Sequence, residues 1–233
     1  MFRYTVGLIF LILYMVWGLI VYPFYYLSGK KIGKYLVRNL YIVVLKLVGV
    51  KIVVEGLENV DENEKYLVVS NHQSVFDIPV IGAALPLNMR IMAKKELSRI
   101  PFFGQMLLIY DFVFVDRKNP RIAVRDLKKA VTLIKHYSFL VFPEGTRSRD
   151  GIVRQFKTGG IFLAFEGNVR ILPVALTGVD RIMKSGNLIV RSGTVNMKVF
   201  PPVQVASNES RKDVADKIQT MISEYVSLQR RVS

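Results

Sequence analysis

No cysteine occurs in the 233 residues, which excludes a disulfide scaffold, thiolate metal ligation and a cysteine nucleophile. No Gly-x-Ser-x-Gly elbow is present to raise a serine nucleophile. Histidine occurs only twice and tryptophan once, and no repeat or low-complexity segment interrupts the chain. Acidic residues are missing altogether from the first 54 positions. What remains is a chain with 51% hydrophobic and 11% aromatic residues, too rich in core formers to stay disordered. Its length suits one domain with a sizeable core plus an anchor, and is short for two full domains.

The net charge of +15 calls for an anionic partner: nucleic acid, an acidic lipid surface or a phosphorylated small molecule. Seven of the basic residues (Arg3, Lys30, Lys31, Lys34, Arg38, Lys46 and Lys51) precede the first acid, Glu55. Cations interleaved with long apolar runs read as a surface for anionic membrane lipids rather than for nucleic acid.

From Tyr4 to Leu27 there are 24 residues without a charge. A helix of that length reaches roughly 36 Å, enough to cross a bilayer, although Pro23 kinks or ends it. Trp17, Tyr22, Tyr25 and Tyr26 supply rings suited to headgroup depth. The lysines that follow favour keeping the rest of the chain on the cytoplasmic side. A cleavable signal peptide fits poorly, because no A-x-A-like site follows and Arg3 alone precedes the apolar run. Over residues 34–48, Leu36, Val37, Leu40, Tyr41, Val44, Leu47 and Val48 recur at helical spacing, with Lys34, Arg38 and Lys46 on another side. That periodicity describes an interfacial basic helix and equally a core-facing one. The two helices could form a hairpin dipping into one leaflet, or the first could span. The expected division is a membrane anchor over residues 1–48 and a folded domain over residues 49–233.

After Gly49 the pattern changes to short apolar runs of strand length: Val50–Val54, Tyr66–Ser70, Arg90–Ala93, Phe112–Val115, Phe139–Phe142, Ile171–Leu176 and Val195–Phe200. Helix-like stretches lie between several of them, at Ile78–Leu85, Gly104–Tyr110, Ile122–His136, Gly160–Gly167 and Arg211–Leu228. This alternation predicts an α/β fold with a mostly parallel central sheet flanked by helices, preceded by the N-terminal membrane-associated segment.

The residues that end these runs carry the chemistry. Tyr66–Ser70 leads directly into Asn71-His72-Gln73-Ser74-Val75-Phe76-Asp77, which places one of the two histidines at a strand's C-terminal end. Histidine suits general-base work near neutrality, and a neighbouring carboxylate would hold its tautomer. Five residues on one continuous helix separate two side chains by about 140°, so His72 and Asp77 meet only if His72 lies in the turn and the helix begins after it. Ser74 or Asp77 as N-cap, with Pro79 in the first turn, fits that arrangement; Asp77 as a mere cap or capping-box partner fits it too. Phe139–Phe142 runs into Pro143-Glu144-Gly145-Thr146-Arg147-Ser148-Arg149, where guanidinium forks and a glycine turn suit a phosphate. Phe112–Val115 closes on Asp116-Arg117. Taken singly, either turn could hold a solvated ion pair; together the three strand ends read as one composite site.

These blocks make the chain resemble the glycerolipid acyltransferase family, in particular its 1-acylglycerol-3-phosphate (lysophosphatidic acid) acyltransferase branch. Asn71 to Asp77 looks like the NHxxxxD block. Lys94-Lys95-Glu96-Leu97, Pro101-Phe102-Phe103-Gly104 and Phe114-Val115-Asp116-Arg117 together are similar to the second block. Phe142 to Ser148 matches the third and Ile171-Leu172-Pro173-Val174 the fourth, so the likeness runs from about Gly56 to Thr177. Asp111 departs from the pattern, standing where the family often has glycine at the start of the second-block strand.

The resemblance implies that His72, oriented by Asp77, takes the proton from the free hydroxyl of a lysophosphatidic acid as that oxygen attacks an acyl thioester. It implies Arg117 and Arg147 on the acceptor's phosphate, Lys94 as a further candidate, and Glu144, Gly145 and Thr146 shaping the same pocket. It implies acyl-CoA or acyl carrier protein as donor, with no metal and no cofactor. Rival expectations are glycerol 3-phosphate or another lysophospholipid as acceptor, a thioesterase-like hydrolase, or a lipid-binding protein without catalysis.

Overall fold

The computed structural model describes residues 31–100, 104, 107, 112–116, 119–187, 189–206 and 208–232. The strands are β1 (Val50–Glu55), β2 (Tyr66–Ser70), β3 (Met89–Lys94), β4 (Val113–Val115), β5 (Ser138–Val141), β6 (Arg170–Thr177) and β7 (Gly193–Val199). The helices are α1 (Lys31–Val48), α2 (Asp77–Ala84), α3 (Pro120–Ile134), α4 (Thr158–Gly167), α5 (Val179–Ile182) and α6 (Arg211–Val232).

All seven strands join in one sheet of order β1-β7-β6-β2-β5-β3-β4. Strands β6, β2, β5, β3 and β4 run parallel to one another. β7 is antiparallel to β6, and β1 is parallel to β7. β2 sits in the middle, in register with β6 from Tyr66↔Arg170 to Ser70↔Val174 and with β5 from Leu67↔Phe139 to Val69↔Val141. All five of its residues are buried, as a strand covered on both faces requires.

Because successive side chains leave a strand on opposite faces, β2 feeds two cores. Tyr66 and Val68 join Tyr41 and Leu45 of α1, Val80 and Ile81 of α2 and Leu172, Val174 and Leu176 of β6. Leu67 and Val69 join Ala130 and Ile134 of α3, Ile161 and Leu163 of α4 and Ile218 and Ile222 of α6. Each fully buried aliphatic side chain contributes about 1.5–3 kcal/mol of transfer free energy to this sandwich of helix, sheet and helix.

The predicted strands form within a residue or two of their expected ends. Phe142 lies just beyond β5, where its carbonyl accepts the Gly145 N–H at 3.1 Å and Pro143 follows. The helix expected over Gly104–Tyr110 falls mostly outside the described residues; Gly104 and Leu107 are helical. The apolar segment Tyr4–Leu27 lies outside them entirely, and no described helix is long and apolar enough to cross a membrane.

α1 is core-facing on one side and leaves apolar residues exposed on another. Leu40, Tyr41, Val44 and Leu45 are buried, while Tyr35, Val43 and Leu47 are exposed to 59%, 52% and 76%. The buried side packs on α2, where the Tyr41 ring lies so close to Gly82 that any side chain there would collide with it. Arg38 adds a hydrogen bond from Nε to the Ala83 carbonyl at 3.1 Å.

Candidate active site

β2 delivers the site. Past Ser70 its ladder with β6 stops, and Asn71 continues it with its side chain. Nδ2 of Asn71 donates to the Leu176 carbonyl at 3.0 Å, and its Oδ1 accepts the Leu176 N–H at 2.8 Å. The carboxamide thus does what a peptide group would do and holds the strand end in place. Sequence reasoning assigned Asn71 no role; an amide at a strand end was the available signal.

His72 follows in the turn, its ring held by Asp77 and Phe142 and its backbone by Glu144 and Ser148. Nδ1 lies 2.7 Å from Oδ2 of Asp77. The ring stacks on Phe142, the residue after β5, with centroids 4.0 Å apart and planes 15° from parallel. The His72 N–H donates to Oε1 of Glu144 at 2.7 Å, and its carbonyl accepts the Ser148 N–H at 2.8 Å. A carboxylate only accepts, so in a neutral imidazole this contact places the proton on Nδ1 and leaves the Nε2 lone pair free. The His72 side chain is 18% exposed and that of Asp77 is fully buried, so a reactant meets the imidazole and not the carboxylate.

Asp77 is both helix opener and imidazole partner. Its Oδ2 also accepts the N–H groups of Gln73 at 2.7 Å and Ser74 at 2.9 Å. Three N–H donors on one oxygen form a setting for an anion. Oδ1 is buried without a hydrogen-bond partner among the described residues. The expected choice between Ser74 and Asp77 as N-cap resolves in favour of neither alone. Asp77 is the first residue of α2, after a helical Phe76 that caps with no side-chain bond. The reach of Asp77 back to the Ser74 N–H is the acidic half of a capping box, while Ser74 Oγ accepts the Phe76 N–H at 3.3 Å rather than that of Asp77. Cap and dyad are therefore one structure. Ser74 Oγ further donates to the Met183 carbonyl at 2.7 Å, tying the turn to the segment after α5.

The turn after β5 lies beside the one after β2, because those strands are parallel neighbours. Gly145 adopts φ 77°, a backbone that side chains resist, and Thr146 and Arg147 are exposed beyond it. Arg147 has no ion pair or hydrogen bond among the described residues. Glu144 is buried and uses both oxygens on main chain: Oε1 for His72, and Oε2 for the Arg154 N–H at 2.9 Å. Burial is the main cause that lifts its carboxyl above the usual value, with the Arg154 and His72 N–H groups pulling against it. Lys94, at the end of β3 on the far side of β5, is exposed and pairs with Glu96 at 3.2 Å. Arg117 lies outside the described residues. His72, Glu144 and Lys94 thus stand at the C-terminal ends of three adjacent parallel strands, where open α/β sheets bind ligands. The groove lined by Glu58, Asp61, Glu64, Tyr66 and Arg170 lies at the opposite end, where β2 and β6 begin.

A histidine held by a buried carboxylate beside an arginine-bearing turn is equipment for moving a proton next to an anionic group. Comparison with known proteins agrees with that class. Residues 51–177 match the model of the acyltransferase family. The 1-acyl-sn-glycerol-3-phosphate acyltransferase of Limnanthes douglasii is 33% identical over 202 residues, 84% of this chain and 70% of the relative. The protein of that name from Borreliella burgdorferi is 34% identical over 163 residues, 69% of this chain and 65% of the relative. Among solved structures, the 1-acyl-sn-glycerophosphate (LPA) acyltransferase PlsC from Thermotoga maritima superposes with a TM-score of 0.76 at 26% identity, covering 98% of each chain. The chain belongs to the acyltransferase family, in its 1-acyl-sn-glycerol-3-phosphate acyltransferase branch, and is an enzyme.

Proposed function

We propose that the protein acylates the sn-2 hydroxyl of 1-acylglycerol 3-phosphate, taking the acyl group from acyl-CoA or acyl carrier protein and releasing phosphatidic acid and a thiol. The observation that carries this reading is the 2.7 Å contact of His72 Nδ1 with an Asp77 oxygen that also receives two main-chain N–H groups. That arrangement supports Nε2 as a base. As the acceptor oxygen attacks the thioester carbonyl carbon, its proton passes to Nε2, and Asp77 stabilises the imidazolium. The tetrahedral intermediate collapses, the carbon–sulfur bond breaks, and the thiolate takes the proton back from His72. Direct transfer fits a chain without cysteine. Arg147 and Arg117 hold the acceptor's phosphate, with Lys94 in reserve. Gly145 and Thr146 form the pocket edge, and Glu144 stiffens it by joining the His72 and Arg154 backbones. No cofactor or metal enters this scheme.

The acceptor and product are lipids, so the reading includes anchorage of the catalytic domain, residues 49–233, by residues 1–48 to the cytoplasmic face of a membrane. The uncharged run Tyr4–Leu27 and the exposed Tyr35, Val43 and Leu47 support it.

The test is purified enzyme with palmitoyl-CoA and 1-oleoyl-glycerol 3-phosphate, with His72→Ala and an acceptor-free reaction alongside. Phosphatidic acid formed by the wild type alone, and only with acceptor, is the expected result. Free fatty acid released without acceptor would replace the transferase by a hydrolase. Transfer only to glycerol 3-phosphate would change the acceptor.

A further inference from the structure

From the charge and placement of α3 we infer that its outer face is the docking surface for an acidic acyl carrier protein, which brings the thioester to the site. This inference rests on the proposed acyl transfer and names one donor for it. Between Asp116 and Tyr137 the sequence holds seven basic residues (Arg117, Lys118, Arg121, Arg125, Lys128, Lys129 and Lys135) and one acid, Asp126. Asp126 is buried, and its Oδ2 accepts the Asp116 N–H at 3.2 Å, so it points its charge into the fold. Among the described side chains of α3 the exposed ones are Arg125, Lys128, Lys129, Thr132 and Leu133, three and four residues apart and hence on one stripe. Lys128 and Lys129 have no ion pair or hydrogen bond among the described residues, and Arg125 reaches only its neighbour Asp126, at 3.8 Å. Leu133, 37% exposed, supplies an apolar contact beside these cations.

Position decides which anion this face meets. α3 packs on the second core, beside edge strand β4, whereas α1 packs on the first core, beside edge strand β1. The two helices thus occupy opposite faces and opposite edges of the sheet. If the apolar outer side of α1 lies on lipid, α3 faces away from it, toward solvent and soluble proteins. α3 also starts five residues after the end of β4, with Asn119 Oδ1 accepting the Ile122 N–H at 3.3 Å. Its first turn is therefore at the end of the sheet that carries His72, within reach of a thioester presented by a partner seated on the stripe. An acidic protein complements this stripe along its length.

The experiment measures kcat/KM of wild type and the double variant Lys128→Glu/Lys129→Glu with palmitoyl–acyl carrier protein and with palmitoyl-CoA. Direct binding of acyl carrier protein to both enzymes, thermal melting and binding to anionic vesicles are measured alongside. Electrostatic steering changes association rates by about 10–1000-fold. The expected result is a loss of about tenfold or more in kcat/KM and in affinity with the carrier protein. The palmitoyl-CoA reaction should stay within about twofold, with melting and vesicle binding unchanged. Wild-type activity with the carrier protein should also fall steeply with salt. Equal loss with both donors, no loss with either, failure of the wild type to bind carrier protein, or loss of vesicle binding would each overturn the inference. Absence of transfer from both donors would refute the proposed function instead, and the binding arm would still decide the docking surface.

Discussion

The carboxylate of Glu144 joins two loops through backbone alone: one oxygen holds the His72 N–H at 2.7 Å and the other holds the Arg154 N–H at 2.9 Å. The position of the proposed base along the chain is therefore set from β5 as well as from β2. Glu144→Gln presents an NH2 group to one of these N–H donors and leaves it unsatisfied in a buried place. The expected effect is a loss of about 1–3 kcal/mol in stability and a lower kcat, read by thermal melting and steady-state kinetics.

Glu144 also predicts a pH dependence. Its folded carboxyl is raised above the usual 4.5 chiefly by burial, so the folded protein holds that proton more tightly than the unfolded chain. Its contribution to stability is complete below 4.5 and is lost as pH rises through the raised value. Denaturant titrations of wild type and Glu144→Gln across that window should show a decline in the wild type that the variant lacks.

Asp77→Asn removes the charge that faces the His72 imidazole while keeping the side chain's size. A fall in kcat of about 10²–10⁴-fold is expected, the range of general-base contributions. Vesicle binding should stay as in the wild type, which separates loss of chemistry from loss of anchorage.

Arg147 is exposed and makes no ion pair or hydrogen bond among the described residues, so removing it leaves no buried partner behind. Arg147→Ala should leave the melting temperature unchanged and raise KM for the lysophosphatidic acid about tenfold or more, the loss of a charge-assisted contact. KM for the thioester donor should move less. A shift confined to the donor would reassign this arginine.

Gly82→Val tests the seat of α1. A Cβ at 82 would lie 2.5 Å from two ring carbons of Tyr41, so the helices must separate. Overpacking of this kind destabilises by about 1–3 kcal/mol, and the melting temperature should fall by several degrees. Tyr41→Ala in the same chain should recover part of the loss.

Much of this was legible in the sequence because it depends on neighbours. Tyr66–Ser70 is apolar enough to be a central strand, and the turn that lets Asp77 reach His72 is encoded within seven residues. The end of β5 was harder to read: Phe142 extends the apolar run by one residue, and nothing local shows that its ring belongs to the imidazole. The partners of Asn71, Arg38 and Gly82 lie 105, 45 and 41 residues away along the chain, where composition and periodicity carry no information. For α1 the ambiguity was physical, since burial in a core and burial in lipid impose the same helical repeat.

The packing of α1 bears on how the molecule can be taken apart. A truncation starting at residue 49 removes Tyr41 and Leu45 from a cluster that includes Val80 and Ile81 of α2, the helix that Asp77 opens. A shortened chain that keeps this catalytic unit intact therefore begins no later than Lys31, so that α1 travels with the sheet it covers.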